Sequence, residues 1–69
     1  MNRIPVESSN IADIGYDEQS MTLEVGFNNG TVYQYFDVPQ SVHQAFMNAS
    51  SKGTFLNESI KGNYRYAKL

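Results

Sequence analysis

The sequence contains no cysteine, which excludes disulfide bridges and any thiolate metal site, and with them the small secreted scaffold held together by cross-links. Long apolar runs are also missing. The opening Met1-Asn2-Arg3-Ile4-Pro5-Val6-Glu7-Ser8-Ser9 lacks the apolar stretch of a signal peptide, and no other segment is long enough to cross a bilayer, so the expectation is a soluble, cytoplasmic protein. Positive charge is not in excess either: five Lys and Arg against seven Asp and Glu leave a formal net charge of −2, with a pI near 5.0. That balance speaks against a broad electrostatic footprint for nucleic acid or an anionic membrane. A local patch is still available, because Lys61, Arg65 and Lys68, three of the five basic residues, lie in the last nine positions. A second core is excluded by length, since the chain has 69 residues. A chain of this size buries only about 60% of its unfolded surface, so one domain with a thin core is expected, and a dimer interface is one way to reinforce it.

What the chain does have is β-forming sequence organised around Gly30-Thr31-Val32-Tyr33-Gln34-Tyr35-Phe36-Asp37-Val38-Pro39. Asn28-Asn29-Gly30 can supply the positive φ values of a tight hairpin, and Pro39 ends the ladder. Upstream, Ala12, Ile14 and Tyr16 alternate with Asp13 and Gly15, and Met21, Leu23, Val25 and Phe27 alternate with Thr22, Glu24 and Gly26. These are two half-buried strands joined by the polar Asp17-Glu18-Gln19-Ser20. Residues 1–9 show no periodicity, carry a proline and end in Ser-Ser; they are expected to be an extended or frayed lead-in, which places the single domain at 10–69.

With Asn29-Gly30 as the central turn residues, Phe27 faces Val32, Val25 faces Gln34, Leu23 faces Phe36 and Met21 faces Val38. A first hairpin closed around Asp17 to Ser20 sets Tyr16 opposite Met21, Ile14 opposite Leu23 and Ala12 opposite Val25. Both turns gather apolar residues on one face. They leave Asp13, Gly15, Thr22, Glu24, Gly26, Tyr33, Tyr35 and Asp37 on the other.

Beyond Pro39, Val42, Ala45, Phe46 and Ala49 recur at helical spacing. They predict an amphipathic helix over residues 40–49 laid on the apolar face, with Asp37 as a cap. Ser50-Ser51-Lys52-Gly53 punctuates it, Gly53 being a candidate left-handed residue. A second, short helix at about 54–61 presents Phe55, Leu56 and Ile60, and Gly62-Asn63 stop it. The last segment, Tyr64-Arg65-Tyr66-Ala67-Lys68-Leu69, alternates aromatic with basic and fits either a fourth strand or an extended tail. The expected class is α+β: a three-stranded antiparallel meander packed by an amphipathic helix, then a short helix and a C-terminal extended segment, in the order β-β-β-α-α-β.

No catalytic constellation is legible in these residues. His43, the single histidine, has no carboxylate at metal-ligand spacing on its helix face. A Gly-x-Ser-x-Gly elbow and a Gly-rich phosphate loop are both missing. Asp13, Glu24 and Asp37 share the polar sheet face, where solvation gives their pKa values no reason to part. A binding module without metal or cofactor is therefore expected, not an enzyme.

The aromatics carry that reading. Tyr33 and Tyr35 share a sheet face with Gly26 opposite Tyr33, and Tyr64 and Tyr66 repeat the Tyr-x-Tyr spacing around Arg65. Aromatic side chains on a sheet beside cations stack the bases of single-stranded nucleic acid, at about 1–3 kcal/mol per base. The candidate set is thus Tyr33, Tyr35, Tyr64 and Tyr66 for stacking, with Lys52, Lys61, Arg65 and Lys68 for phosphates. A structural role fits the same residues: the C-terminal tyrosines fold over the sheet tyrosines as a second small core, and the cations form a solvated rim.

Ser9-Asn10-Ile11, Ile14-Gly15-Tyr16-Asp17, Thr22-Leu23-Glu24-Val25 with Phe27, Gly30, Tyr33-Gln34-Tyr35-Phe36-Asp37-Val38-Pro39, Ser51-Lys52-Gly53, Phe55 with Asn57, Ile60, and Tyr64-Arg65-Tyr66 together resemble the KTSC domain. The resemblance runs from about Ser8 to the end. Members of this family occur alone in bacterial and phage proteins and, in some cases, at the C-terminus of lysyl-tRNA synthetases. Through that context the resemblance implies RNA binding. One stretch departs from the pattern: members often carry Asn-Arg-x-Ile-Arg-Gly-Arg-Tyr, whereas this chain has Asn57-Glu58-Ser59-Ile60-Lys61-Gly62-Asn63-Tyr64. Where those arginines meet phosphates, Glu58 and Asn63 should make RNA binding weaker here.

Three binding functions fit these residues. One is a nucleic-acid module, for RNA or another single strand. A second is a protein-interaction or homodimerisation module that uses an exposed aromatic patch or the edge of the last strand. The third is a pocket for a small nucleotide-like ligand between the Tyr-x-Tyr face and residues 61–68, whose small footprint suits the acidic charge.

Overall fold

The alternation read between residues 11 and 27 becomes two antiparallel strands in the computed structural model, which describes all 69 residues. They are β2 (Ile11–Asp17) and β3 (Thr22–Phe27). Around them the sheet has five strands where three were expected, in the order β1-β2-β3-β4-β5 with every neighbour antiparallel. The lead-in is extended but not frayed. Its β1 (Arg3–Pro5) pairs Arg3 with Gly15, Ile4 with Ile14 and Pro5 with Asp13. Gly15 admits this approach, since a Cβ there would lie 2.8 Å from the carbonyl oxygen of Asn2. Pro5 is tolerated because β1 is an edge strand. At the other edge the C-terminal segment is a strand, β5 (Tyr66–Lys68), paired with β4 (Val32–Tyr35).

The registers differ from expectation in ways that decide the site. Between β2 and β3, Tyr16 pairs with Leu23 and Ile14 with Val25, two residues from the expected register but on the expected face. An irregularity between Ile11 and Asp13 turns Ile11, not Ala12, into the core, where it is fully buried. Between β3 and β4 the shift is one residue: Leu23 pairs with Tyr35, Glu24 with Gln34, Val25 with Tyr33 and Gly26 with Val32. A one-residue shift reverses the face of every side chain. Tyr33 and Tyr35 therefore share the face of Leu23 and Val25, not the polar face, and Gly26 is not opposite Tyr33.

The turn explains the shift. The Phe27 N–H donates to the Thr31 carbonyl and the Gly30 N–H to the Phe27 carbonyl, both at 2.9 Å, so the loop is the three residues Asn28-Asn29-Gly30. Gly30 takes φ 91°, while Asn29 is not among the positive-φ residues. A two-residue type I′ turn would need positive φ at both.

Helix α1 (Gln40–Asn48) follows Pro39, which takes the N-cap position in place of Asp37; the N–H groups of Val42 and His43 donate to the Pro39 carbonyl. Helix α2 (Lys52–Phe55) continues without a break into a π-helical turn, Leu56–Ile60. Gly53 lies inside α2 instead of ending a helix. The left-handed glycine is Gly62, at φ 82°. It forms, with Lys61 at φ −62° and ψ 131°, a type II turn closed by the Asn63 N–H on the Ile60 carbonyl. None of the helices is long and apolar enough to cross a membrane.

The helices cover the face that carries Ile11, Ile14, Leu23, Val25 and Tyr35, which pack with Val38, Phe46, Leu56 and Ile60 as one buried cluster. Phe46 and Phe55 stack at 5.3 Å between α1 and α2. His43 lies flat on Tyr16, with ring centroids 4.5 Å apart, and burial lowers its pKa. The Tyr16 hydroxyl donates to the Val38 carbonyl.

On the opposite face Arg3 reaches Asp13 through Nε at 2.9 Å and Glu24 through Nη1 at 2.5 Å, and Gln34 Nε2 donates to the other Glu24 oxygen at 2.8 Å. Glu24 was expected to be solvated but is only 7% exposed. The Gln34 hydrogen bond, followed by the bond and charge of Arg3, outweighs burial and holds its carboxyl below the usual range.

Candidate functional site

The register of β4 and the pairing of β5 bring four aromatic rings together. Tyr35 pairs with Tyr66, and Tyr33 with Lys68, so Tyr66 lies over the Tyr-x-Tyr pair of β4. Ring centroids are 5.9 Å apart for Tyr33 and Tyr66, 6.1 Å for Tyr35 and Tyr66, and 6.4 Å for Tyr33 and Tyr35. Phe27 meets Tyr33 edge-on at 5.9 Å. These four residues line a cleft of about 480 Å³ beside the β3–β4 loop.

Their exposures divide the work. Tyr35 is 3% exposed and continuous with the core. Burial, with Tyr33 and Tyr66 as neighbours, raises the pKa of its phenol, so it stays a neutral wall. Tyr33 is half-buried, and Tyr66, at 64% exposed, offers its ring to solvent.

Polar groups stand at the rim. Lys61 and Gly62 line the cleft from the type II turn after the π-helical segment, and Asn29 and Thr31 line it from the hairpin loop. Asn29 Oδ1 accepts from the Thr31 N–H at 3.1 Å and from its hydroxyl at 2.7 Å. That fixes the amide and leaves its NH₂ as a free donor. Neither Lys61 nor Lys68 takes part in any of the three ion pairs, so the charges beside the rings have no side-chain partner.

Of the eight residues singled out in the sequence, Tyr33, Tyr35, Tyr66 and Lys61 line this cleft. Lys68 adjoins it as the strand partner of Tyr33. Tyr64 and Arg65 line a neighbouring hollow. Arg65 Nη2 donates to Asp37 at 2.7 Å, and its guanidinium carbon lies 5.5 Å from the centre of the Phe36 ring. Lys52 lines neither; its ammonium donates to the Ala49 carbonyl at the end of α1, a helix-terminal contact. Phe27, Asn29, Thr31 and Gly62 were not among the sequence candidates. Reading the loop as three residues puts Phe27 and Tyr33 on one face and is the signal that would have found Phe27; no sequence signal marks Gly62. No three His, Asp or Glu side chains come close enough to hold a metal ion.

A protein-family model described as the KTSC domain matches residues 7–64. A crystal structure of a KTSC domain protein from Yersinia pestis superimposes with a TM-score of 0.93 at 46% identity, over 99% of this chain and 96% of that one. An uncharacterised protein of Stutzerimonas stutzeri is 39% identical over 70 residues, spanning 100% of this chain and 99% of its own. A lysine–tRNA ligase of Nostoc punctiforme is 41% identical over 63 residues, which are 91% of this chain but 11% of the ligase. The chain thus spans about a tenth of the ligase that it matches. With the family model matched from Glu7, ahead of β2, to the residue before Arg65 and a solved relative superimposing end to end, this chain belongs to the KTSC domain family.

Proposed function

We propose that this domain binds single-stranded RNA without catalysing a reaction on it, seating a base in the aromatic cleft. The observation that carries the reading is the cleft itself: four aromatic rings around about 480 Å³ with an ammonium group, Lys61, at the rim. That volume falls in the range of about 300–1,000 Å³ typical of small-ligand pockets. Aromatic walls favour any flat π-system, and the cation selects an anionic one. RNA is the class chosen because relatives that contain this domain include lysine–tRNA ligases, proteins named for a tRNA substrate.

In this reading the base stacks on the exposed ring of Tyr66 and on Tyr33, and the free Asn29 amide donates to an acceptor on the base edge. Lys61 and Lys68 meet phosphates. Two such contacts on a single strand give a slope of log affinity against log salt of about −1.4, so binding is shallow in its salt dependence.

Fluorescence anisotropy with a labelled single-stranded RNA oligonucleotide tests the proposal in the parent and in Tyr66→Ala. Because Tyr66 is largely exposed on an edge strand, the variant should stay folded, with its thermal midpoint lowered only by the lost ring contacts to Tyr33 and Tyr35. Loss of one stacked base weakens binding by about 1–3 kcal/mol, or about 5- to 150-fold. Equal affinity in a folded variant overturns the proposal.

A further inference from the structure

We infer that the ligand is a strand of at least two nucleotides that straddles Tyr66, and not a single free nucleotide. This rests on the base-binding reading above and adds the length and path of the ligand. The second hollow, about 630 Å³ and lined by Phe36, Asn63, Tyr64 and Arg65, shares Tyr66 and Gly62 with the aromatic cleft. Tyr66 borders both, and because Phe36 and Arg65 are the next pair along the β4–β5 ladder, the second hollow lies across the edge strand β5 from the first. A mononucleotide fills the first and leaves the second empty.

The second hollow has its own stacking group. The Arg65 guanidinium sits against the Phe36 ring, and its bond to Asp37 steadies its plane. A second base can lie on that pair as the first lies on Tyr33 and Tyr66.

The ridge between the hollows suits a phosphodiester. Gly62, common to both, has no heavy atom within 4 Å of where a Cβ would stand. Bare backbone there leaves room for the phosphate. Lys61 is its immediate neighbour in the turn, with no carboxylate partner.

Asp37 sets the polarity of the arrangement. Its carboxylate accepts from the Arg65 guanidinium at 2.7 Å, so that edge of the guanidinium is taken and is not offered to a phosphate. The phosphate consequently takes the Lys61 side of the ridge, and Arg65 presents its flat face to the second base. Charge and shape both call for base, phosphate, base in that order across Tyr66.

The test is an NMR titration of the ¹⁵N-labelled chain at low salt with two probes, adenosine 5′-monophosphate and the 5′-phosphorylated diadenylate. The monophosphate should shift amides of Asn29, Thr31, Tyr33 and Lys61 only. The diadenylate should bind about 5- to 150-fold more tightly and extend the shifts to Phe36, Asn63 and Arg65. Phe36→Leu, which keeps every charge, should remove most of that gain and leave monophosphate binding unchanged. If both probes bind equally, with shifts confined to the aromatic cleft, the two-base inference fails and the base-binding reading stands. If the diadenylate binds more tightly but Phe36→Leu leaves the gain intact, the assigned path is wrong. If neither probe shifts the spectrum, the base-binding reading fails and takes this inference with it.

Discussion

Replacing Gly30 with alanine isolates the left-handed backbone that closes the β3–β4 hairpin. Gly30 sits at φ 91°, and a Cβ added there meets no heavy atom within 4 Å, so no steric contact contributes to the change. What is left is the intrinsic penalty of the left-handed region for an L-residue, about 1–2 kcal/mol. Restricting the unfolded chain returns about 0.4–1 kcal/mol, which leaves a net loss of about 1 kcal/mol. Small domains lose about 1 kcal/mol per molar urea, so the unfolding midpoint should fall by about 1 M. The melting temperature should fall by about 4–8 °C. Gly30→Asn should lose less than Gly30→Ala, because asparagine enters the left-handed region more readily. Urea unfolding followed by circular dichroism measures all three proteins. An alanine variant as stable as the parent, or an asparagine variant weaker than the alanine one, would refute the left-handed conformation of Gly30 on which the hairpin closes.

The Glu24 carboxyl is held below its unfolded value by Gln34 and Arg3, so its stabilisation is complete above about pH 4.3 and is lost as pH falls through the lower folded value. Melting temperatures from pH 7 to pH 3 should show that acid loss, with a shallower acid limb in Glu24→Gln and about 1.5–3 kcal/mol less stability near neutrality. Phe46 is fully buried against Phe55, and Phe46→Ala should cost about 3–5 kcal/mol, enough to leave a domain with so thin a core largely unfolded by circular dichroism at 25 °C. Asn63 lines the second hollow; Asn63→Arg should tighten single-stranded RNA binding and steepen the salt slope by about 0.7, both read by anisotropy across a salt series.

Much of this fold was legible because period-two alternation is a strong signal where one face is buried and the other is wet. It placed β2 and β3, and the aromatic run gave β4. The helix over residues 40–49 was legible from Val42, Ala45 and Phe46 and ends one residue earlier, at Asn48. Register was not legible, because Asn28-Asn29-Gly30 satisfies a two-residue and a three-residue loop equally well, and only the φ of Asn29 separates them. Strand β1 was hidden because three residues carry no period and Pro5 argues against a ladder; the pairing depends on space left by Gly15 in another strand. Tyr33 and Tyr35 were found by residue type, yet on the wrong face, and Lys61 was found by its place in the basic C-terminal segment. Lys52 looked like Lys61 in sequence but is spent on the end of α1, a tertiary contact that composition does not reveal. Phe27 was read as core and the loop residues as turn chemistry, so the hairpin side of the cleft went unseen.

The most direct test of the account is a search for intermolecular nuclear Overhauser contacts between the labelled chain and a short single-stranded RNA. Base protons in contact with the rings of Tyr33 and Tyr66 and the amide of Asn29, moved upfield by ring currents, are the predicted result. Contacts to Val32, Gln34 or Arg3 on the opposite face, with none to the tyrosines, would contradict it.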